Sequence, residues 1–381
     1  MKKILIIPMS ATAETAGPAS RTNLLVNYLK DKKINVSTCC AKDINYKPIQ
    51  GIKNYELSIP TPLGMPKIIG NYFFPIVQKL GLTSKKSIHN FEEVLHLTGN
   101  INYKYLKKSI NEIRKAIKEF EPDIIYSEFN ISAIIAAKLE NKKLFISASY
   151  PTQYDKKTKS KHKKQVNKIL KELNLPTVKS TLELFDWADK KFIPSCHKLE
   201  PFQSKKVIFC GAWKNITPKE KNKKNKILVY MGNGTISQRK MVKEITKAFQ
   251  NTKYEIYIAG KNLKKQENKN IHIDKRFNFQ ELFPSTILFI NHGGQNSMTD
   301  ALIYGIPQII CPGKIFERKY NAESIEKNKA GITLSHKKFK AKQIKETANT
   351  IIKNSEYKNN AQKIGKELLS LGGIENIIKN I

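Results

Sequence analysis

The chain has 381 residues, more than one hydrophobic core ordinarily supports, and its 40% hydrophobic and 9% aromatic content is that of a soluble globular protein. No apolar run approaches the roughly 20 residues of a membrane-spanning helix, so a bilayer span is excluded. The net charge of +36 invites a nucleic-acid reading, but arginine occurs only at Arg21, Arg114, Arg239, Arg276 and Arg318, and lysine is spread along the whole chain beside abundant Asn and Ile. That pattern fits an AT-rich coding bias better than a dedicated nucleic-acid surface, and leaves room only for a weak attraction to anionic lipid.

From the first residue onward, short β-branched runs alternate with longer amphipathic segments, the pattern of parallel strands joined by helices. Strands are expected at Lys3–Met9, Asn35–Cys40, Asp123–Ser127, Leu144–Ser149 and Lys191–Pro194. Pro60–Leu82 breaks the alternation with Pro60, Pro62, Pro66 and Pro75 among aliphatic and aromatic residues; such an insertion usually does local work. Lys156–Lys171 reads as a charged helical face. Lys214–Asn225 is Lys/Asn-rich and almost free of apolar residues, and is taken as a linker. The pattern then restarts at Lys226–Met231, Tyr254–Ala259, Ile271–Asp274, Ile287–Asn291, Gln308–Cys311 and Gly331–Leu334, before a helical stretch at Tyr357–Leu369. Two α/β domains, residues 1–213 and 226–355, are therefore expected around the linker 214–225, followed by a tail, 356–381.

The five cysteines (Cys39, Cys40, Cys196, Cys210, Cys311) are scattered and odd in number, which fits a reducing cytoplasmic compartment without disulfides. His89, His96, His162, His197, His272 and His336 have no paired ligand spacing, so no bound metal is expected.

The chemistry concentrates in Ile287–Ala322. An apolar strand runs into His292-Gly293-Gly294-Gln295-Asn296-Ser297, after which an amphipathic helix begins. Paired glycines let the backbone approach a ligand, and the free N–H groups of a helix start, at the positive end of its dipole, favour an anion. A diphosphate suits that place, with His292, Asn296 and Ser297 as side-chain donors that need no metal, and Asp300 able to accept from ribose hydroxyls. Gly232-Asn233-Gly234-Thr235, after the first strand of the second half, is a second candidate phosphate loop or equally a structural turn.

His292, Gly294, Asn296-Ser297, Asp300, Gly305-Ile306-Pro307, Pro312, Glu317-Arg318 and Asn321-Ala322 follow one another in an order and spacing that resemble the donor signature of family 1 UDP-glycosyltransferases, among them plant secondary-metabolite and bacterial macrolide enzymes. The resemblance covers the C-terminal half and only the opening loop of the N-terminal half. It implies a GT-B fold, two facing Rossmann-like domains whose last helix crosses back to the first domain. It implies inverting transfer of a hexosyl group from a nucleotide-sugar, expected to be a UDP-sugar, to an acceptor oxygen on a small molecule or lipid, with no cofactor. By the same likeness His292, Gly294, Asn296 and Ser297 hold the diphosphate, beside the backbone approach that Gly293 allows, Asp300 holds the ribose, and Glu317 the sugar hydroxyls. Arg276-Phe277-Asn278-Phe279 falls where the base binds, so Phe277 is a candidate for the uracil, with a core position as its competing reading.

Two departures qualify the likeness. Arg318 stands where the family usually has Gln. In the first loop, where relatives often carry Gly-His-x-x-Arg with the His as general base, this chain reads Gly17-Pro18-Ala19-Ser20-Arg21. Proline has no basic side chain. Glu14 is the nearest substitute, with Asp123 and Glu128, at a later strand exit, as alternatives; an acceptor that is already acidic needs no base. A nucleotide-sugar epimerase of similar architecture and a binding protein that has lost its base are the competing functions.

Overall fold

The computed structural model describes residues 2–12, 16–66, 76, 87–153, 160, 162–213, 224–232 and 236–381. Within them every expected strand forms, its ends within two residues of expectation. The first sheet is built from β1 (Lys3–Pro8), β2 (Asn35–Cys40), β3 (Asn54–Glu56), β4 (Ile124–Glu128), β5 (Lys143–Ser147), β6 (Lys190–Ile193) and β7 (Val207–Phe209), ordered β3-β2-β1-β4-β5-β6-β7 and parallel throughout. The second contains β8 (Lys226–Tyr230), β9 (Glu255–Ala259), β10 (Gln266–Asn268), β11 (Ile271–Asp274), β12 (Thr286–Asn291), β13 (Gln308–Ile310) and β14 (Gly331–Thr333), ordered β10-β11-β9-β8-β12-β13-β14. Only β10 runs antiparallel, against β11.

Both sheets are apolar on both faces because helices cover both. In β1, Leu5 and Ile7 enter one core while Ile4 and Ile6 enter the other, and β4 divides Ile125 from Ile124 and Tyr126 in the same way. The second sheet repeats the device with Ile227 and Val229 on one side of β8 and Leu228 on the other. β3, β7 and β10 are three-residue edge strands that the sequence reading did not include. β10 is the extreme case: Gln-Glu-Asn carries no apolar signal, and its strand form rests on pairing with β11.

The strand order reverses direction between β1 and β4 in the first sheet and between β8 and β12 in the second. At such a switch point the flanking connections part to opposite faces, leaving a crevice beyond the carboxyl ends of the strands. That crevice locates Gly232 after β8 and His292 after β12 on one side, and Glu128 at the end of β4 on the other.

The C-terminal tail forms two helices. Ser355–Ser370 packs on the second domain, where Gly365 lies against Leu302 of the helix Gln295–Ile303. The short helix Gly373–Lys379 makes the crossing: Ile374 and Ile377 join the core of Ile4, Ile6 and Trp213, and the Gly373 N–H donates to the Cys210 carbonyl at 2.7 Å. The last helix thus makes the return, as expected. Of the expected excursion, 67–75 and 77–82 lie outside the described residues, as do 156–159 and 161 of the lysine-dense stretch and 214–223 of the linker. Lys163–Glu172 is helical as expected. Among the described residues no helix is long and apolar enough to cross a membrane.

A methyl group on Gly365 would sit 2.0 Å from the Leu302 carbonyl oxygen. Gly365→Ala gains about 1 kcal/mol of helix propensity, but separating two packed helices costs about 1–3 kcal/mol. Chemical denaturation is expected to show a lower midpoint for the variant; an unchanged or raised midpoint would mean the two helices do not pack in this way.

Candidate active site

The anion-binding turn is built from β12 outward. After Asn291, Gly293 takes φ +81°, a left-handed conformation that a side chain would disfavour, and its added Cβ would meet the Arg318 carbonyl oxygen and Ile310 at 3.0 Å. Buried amides fix this turn. The Gly293 N–H donates to Asn291 Oδ1 at 2.8 Å, and Asn321 Nδ2 donates to the Gly293 carbonyl at 2.8 Å. Asn291 Nδ2 in turn donates to Gln308 Oε1 at 2.8 Å, and Gln308 Nε2 to the Met298 carbonyl at 3.0 Å. Gly294 then caps the helix Gln295–Ile303 without any side-chain bond, so the first N–H groups are left for a ligand.

His292 lies over this helix start, clamped by glycines. A Cβ on Gly232 would approach its ring at 2.9 Å and one on Gly294 would reach Nε2 at 2.6 Å, so both positions exclude any larger residue while the ring stays there. Tyr230 packs edge-on against the ring at 5.6 Å, and Nδ1 stands 3.5 Å from the Tyr230 carbonyl, too long to fix the tautomer. Burial and then the Arg318 charge push the His292 pKa down to about 3, so the imidazole is neutral at physiological pH and offers one N–H.

Arg318 and Glu317 open the helix Phe316–Lys327 beside this ring. Burial lowers the Arg318 pKa against the opposing charge of Glu317, and the guanidinium still carries its charge at neutral pH. Asn296 is exposed and Ser297 and Asp300 half-buried on the first turns of Gln295–Ile303, with Asp300 close enough to Tyr304 to help raise the phenol's pKa. Asn233, Gly234 and Thr235 lie outside the described residues. Phe277 is half-buried and packs edge-on against Tyr257 at 5.3 Å. Phe279 packs edge-on against Tyr230 at 6.2 Å, and Tyr230 in turn meets His292.

On the facing domain, Glu14 lies outside the described residues. Asp123 is not at a strand exit: it precedes β4, where it accepts from the Lys3 backbone N–H at 2.7 Å, at the edge of the sheet away from the crevice. Parallel pairing of β4 with β1 puts its other end, Glu128, at the crevice. Glu128 is buried and ion-paired with Arg21 at 2.6 Å, and burial raises its pKa while Arg21 opposes. The Gly17–Arg21 stretch, expected as a loop, is already the first turns of the helix Ala16–Asp31. Pro18 fits there because a first-turn residue needs no N–H partner.

One carboxylate escaped the sequence reading. Glu200, seven residues beyond β6, is buried, accepts from the Tyr150 N–H at 2.6 Å and from Gln295 Nε2 at 3.2 Å, and has its pKa pushed up to about 7 by burial, with Glu317 adding to the rise. Only its place between the domains distinguishes it from other glutamates, and no local motif carries that information. The five described cysteines are all free and buried, with Cys40, Cys196 and Cys210 pushed up to about 12 by burial; such thiols are not nucleophiles at neutral pH. Among the described residues no cluster of His, Cys, Asp or Glu could hold a metal ion.

Two doubly covered Rossmann-like sheets with a ligand crevice at their switch points define a GT-B protein. Its sequence likeness is strongest in the second domain: residues 254–381 match the family described as Erythromycin biosynthesis protein CIII-like, C-terminal domain. UDP-glycosyltransferase 2 of Phaeomoniella chlamydospora is 26% identical over 112 residues, 29% of this chain and 24% of that protein. NDP-glycosyltransferase YjiC of Bacillus subtilis (strain 168) is 21% identical over 161 residues, 41% of each chain. The matches thus span less than half the length of these curated relatives. Among solved structures, the calicheamicin glycosyltransferase CalG4 superposes with a TM-score of 0.70 at 12% identity, over 100% of this chain and 98% of that one. The spinosyn rhamnosyltransferase SpnG complexed with thymidine diphosphate gives 0.69 at 12% identity over 99% of each. Over its C-terminal third the chain is thus similar to family 1 glycosyltransferases, and as a whole it shares the GT-B fold.

If His292 donates to a bound diphosphate, His292→Ala should weaken UDP binding by about 1.5–3 kcal/mol, roughly 10- to 150-fold in Kd. Calorimetry checks this, and unchanged affinity would put the diphosphate elsewhere.

Proposed function

We propose that this protein transfers a hexosyl group, with inversion, from a nucleoside diphosphate sugar to an acceptor oxygen. The observation that carries the reading is the uncapped helix start at Gly294, roofed by a neutral His292 and flanked by Arg318. Backbone N–H groups there can stabilise the charge that grows on a leaving diphosphate, and they need no reorganisation as the glycosidic bond breaks. Asn296 and Ser297 add donors, Asp300 accepts from the ribose, and Glu317 takes the sugar hydroxyls. Arg318, in place of the family's Gln, offers only donors where Gln offers both a donor and an acceptor, and so favours a sugar presenting acceptor oxygens at that point. The crevice face of the first domain receives the acceptor.

The nucleotide is taken as UDP; a likeness to a structure holding thymidine diphosphate makes the thymidine form the comparison to run beside it. A transferred sugar separates this function from an epimerase, which would return an altered sugar nucleotide, and from a binding protein, which would return nothing. Incubation with UDP- and TDP-sugars and an acceptor library is the direct trial, and transfer should persist in the presence of a chelator. Abolition by the chelator would contradict stabilisation by the helix start and its side chains.

For a neutral hydroxyl acceptor we assign the base to Glu14, the titratable side chain closest in sequence to the position held by the family's His. Glu14→Gln should then lower turnover about 10²–10⁴-fold while leaving donor affinity nearly intact. Near-normal turnover would leave Glu128, at the crevice end of β4, as the remaining candidate. An acceptor already ionised, a phosphate or carboxylate, would show no such loss.

A further inference from the structure

We propose that Glu200 is a positioning residue that docks the anion-binding helix of the second domain onto the first, one carboxylate oxygen taking the Tyr150 backbone N–H and the other taking Gln295, the first residue of that helix. The inference rests on the function proposed above only for its catalytic readout; the docking itself is read from contacts.

Those contacts form a continuous strap. Pro194–Phe202 leaves β6 and runs along the second domain. Gln295 Nε2 donates to the Pro194 carbonyl at 3.4 Å as well as to Glu200. The Leu199 carbonyl accepts from Tyr320 Oη and from Ser324 Oγ, both at 2.9 Å, and the Lys198 carbonyl accepts from Asn328 Nδ2 at 3.0 Å. Tyr150 packs edge-on against Phe202 at 5.2 Å and at a tilt against Tyr320 at 5.3 Å. Tyr320 and Ser324 follow a single face of the helix Phe316–Lys327, which carries Glu317 and Arg318, and Asn328 caps its C-terminal end. The strap therefore touches both helices that carry donor-binding groups, and Glu200 is its one buried charge.

Burial makes Glu200 unsuited to touching an acceptor, which is why its role is assigned to alignment. A carboxylate is the side chain whose two oxygens can both accept without also donating. A protonated acid would give up one of those acceptor positions. The charged groups that bear on Glu200 are Arg21 from the helix Ala16–Asp31 and Glu317 from Phe316–Lys327; the Ser195 hydroxyl and the Tyr150 N–H also favour the ionised form, and Gln295 is neutral. With its pKa at about 7 in the folded chain against 4.5 for an ordinary glutamate, the folded state holds this proton more tightly than the unfolded state. Stability from this group is therefore greatest at low pH and falls as the pH rises from about 4.5 to about 7. A side chain that costs stability in the range where it is ionised calls for a functional reason, and alignment of the donor helix supplies one.

The test uses the full chain and the variants Glu200→Gln, Gln295→Ala and the double variant. Each single variant is expected to lower kcat about tenfold with UDP affinity changed less than about twofold, because the diphosphate groups all belong to the second domain. The double variant should be no worse than either single one, the mark of residues that act as a unit. The wild-type kcat profile should show an apparent pKa near 7 that Glu200→Gln lacks, and the thermal midpoint of Glu200→Gln relative to wild type should rise between pH 5 and pH 8. Additive losses, or a Glu200→Gln variant with wild-type kcat and pH profile, would overturn the proposal. If the wild type transfers no sugar, the proposed function fails and the docking is judged separately by hydrogen exchange. Faster exchange of the Tyr150 amide in Gln295→Ala supports the docking, and unchanged exchange there refutes it.

Discussion

A backbone turn between β12 and the following helix sets the terms for the rest of this molecule, because it must leave helix N–H groups free and still bury its own polar atoms. The chain meets both demands with side-chain amides. Asn291 and Asn321 bond the N–H and the carbonyl of Gly293, and Gln308 anchors Asn291. With the turn held from behind, Gly294 can start the helix with no capping side chain in front. A Ser or Asp cap would satisfy those N–H groups internally and compete with a ligand for them. The glycines at 232, 293 and 294 follow from the same constraint, each set against His292 or Arg318 with no room for a side chain.

Electrostatics across the crevice are arranged around few charges despite the high net charge of the chain. The lysines are mostly exposed, whereas Arg21 and Arg318 are largely withdrawn from solvent and face the carboxylates Glu128, Glu200 and Glu317. In such surroundings a single charge acts over the distance of a ring or a helical turn with little screening, which is why Arg318 helps keep His292 neutral and Glu317 raises Glu200. An arriving diphosphate would enter a field supplied by one guanidinium and a helix start, while the surface lysines contribute a more diffuse attraction that salt screens.

Much of this was legible in the sequence. The long apolar strands betray themselves because both faces are buried, and the switch-point position of the site follows from a strand ending in His-Gly-Gly before a helix. Features that depend on pairing across the fold were not legible. β10 is a strand only through its neighbour; Asp123 and Glu128 bracket the same strand and were told apart only by its direction; and Glu200 gains its partner 95 residues away at Gln295. The Gly17–Arg21 loop was misread because the family comparison suggested a loop, while Pro18 two residues into a helix is equally good chemistry. Phe277 and Phe279 differ by two positions and by which aromatic neighbour they meet, information that resides in the packing of Tyr230 and Tyr257.

The central claim, that a nucleoside diphosphate is held by the backbone at the helix start after His292, is tested most directly by titrating UDP into isotopically labelled protein and following its amide resonances. The account predicts the largest shifts at the N–H groups of Gly294, Gln295, Asn296 and Ser297, with Gly232 responding through His292. Saturable binding that leaves these amides unmoved and shifts resonances at the ends of β1 and β4 instead would contradict it.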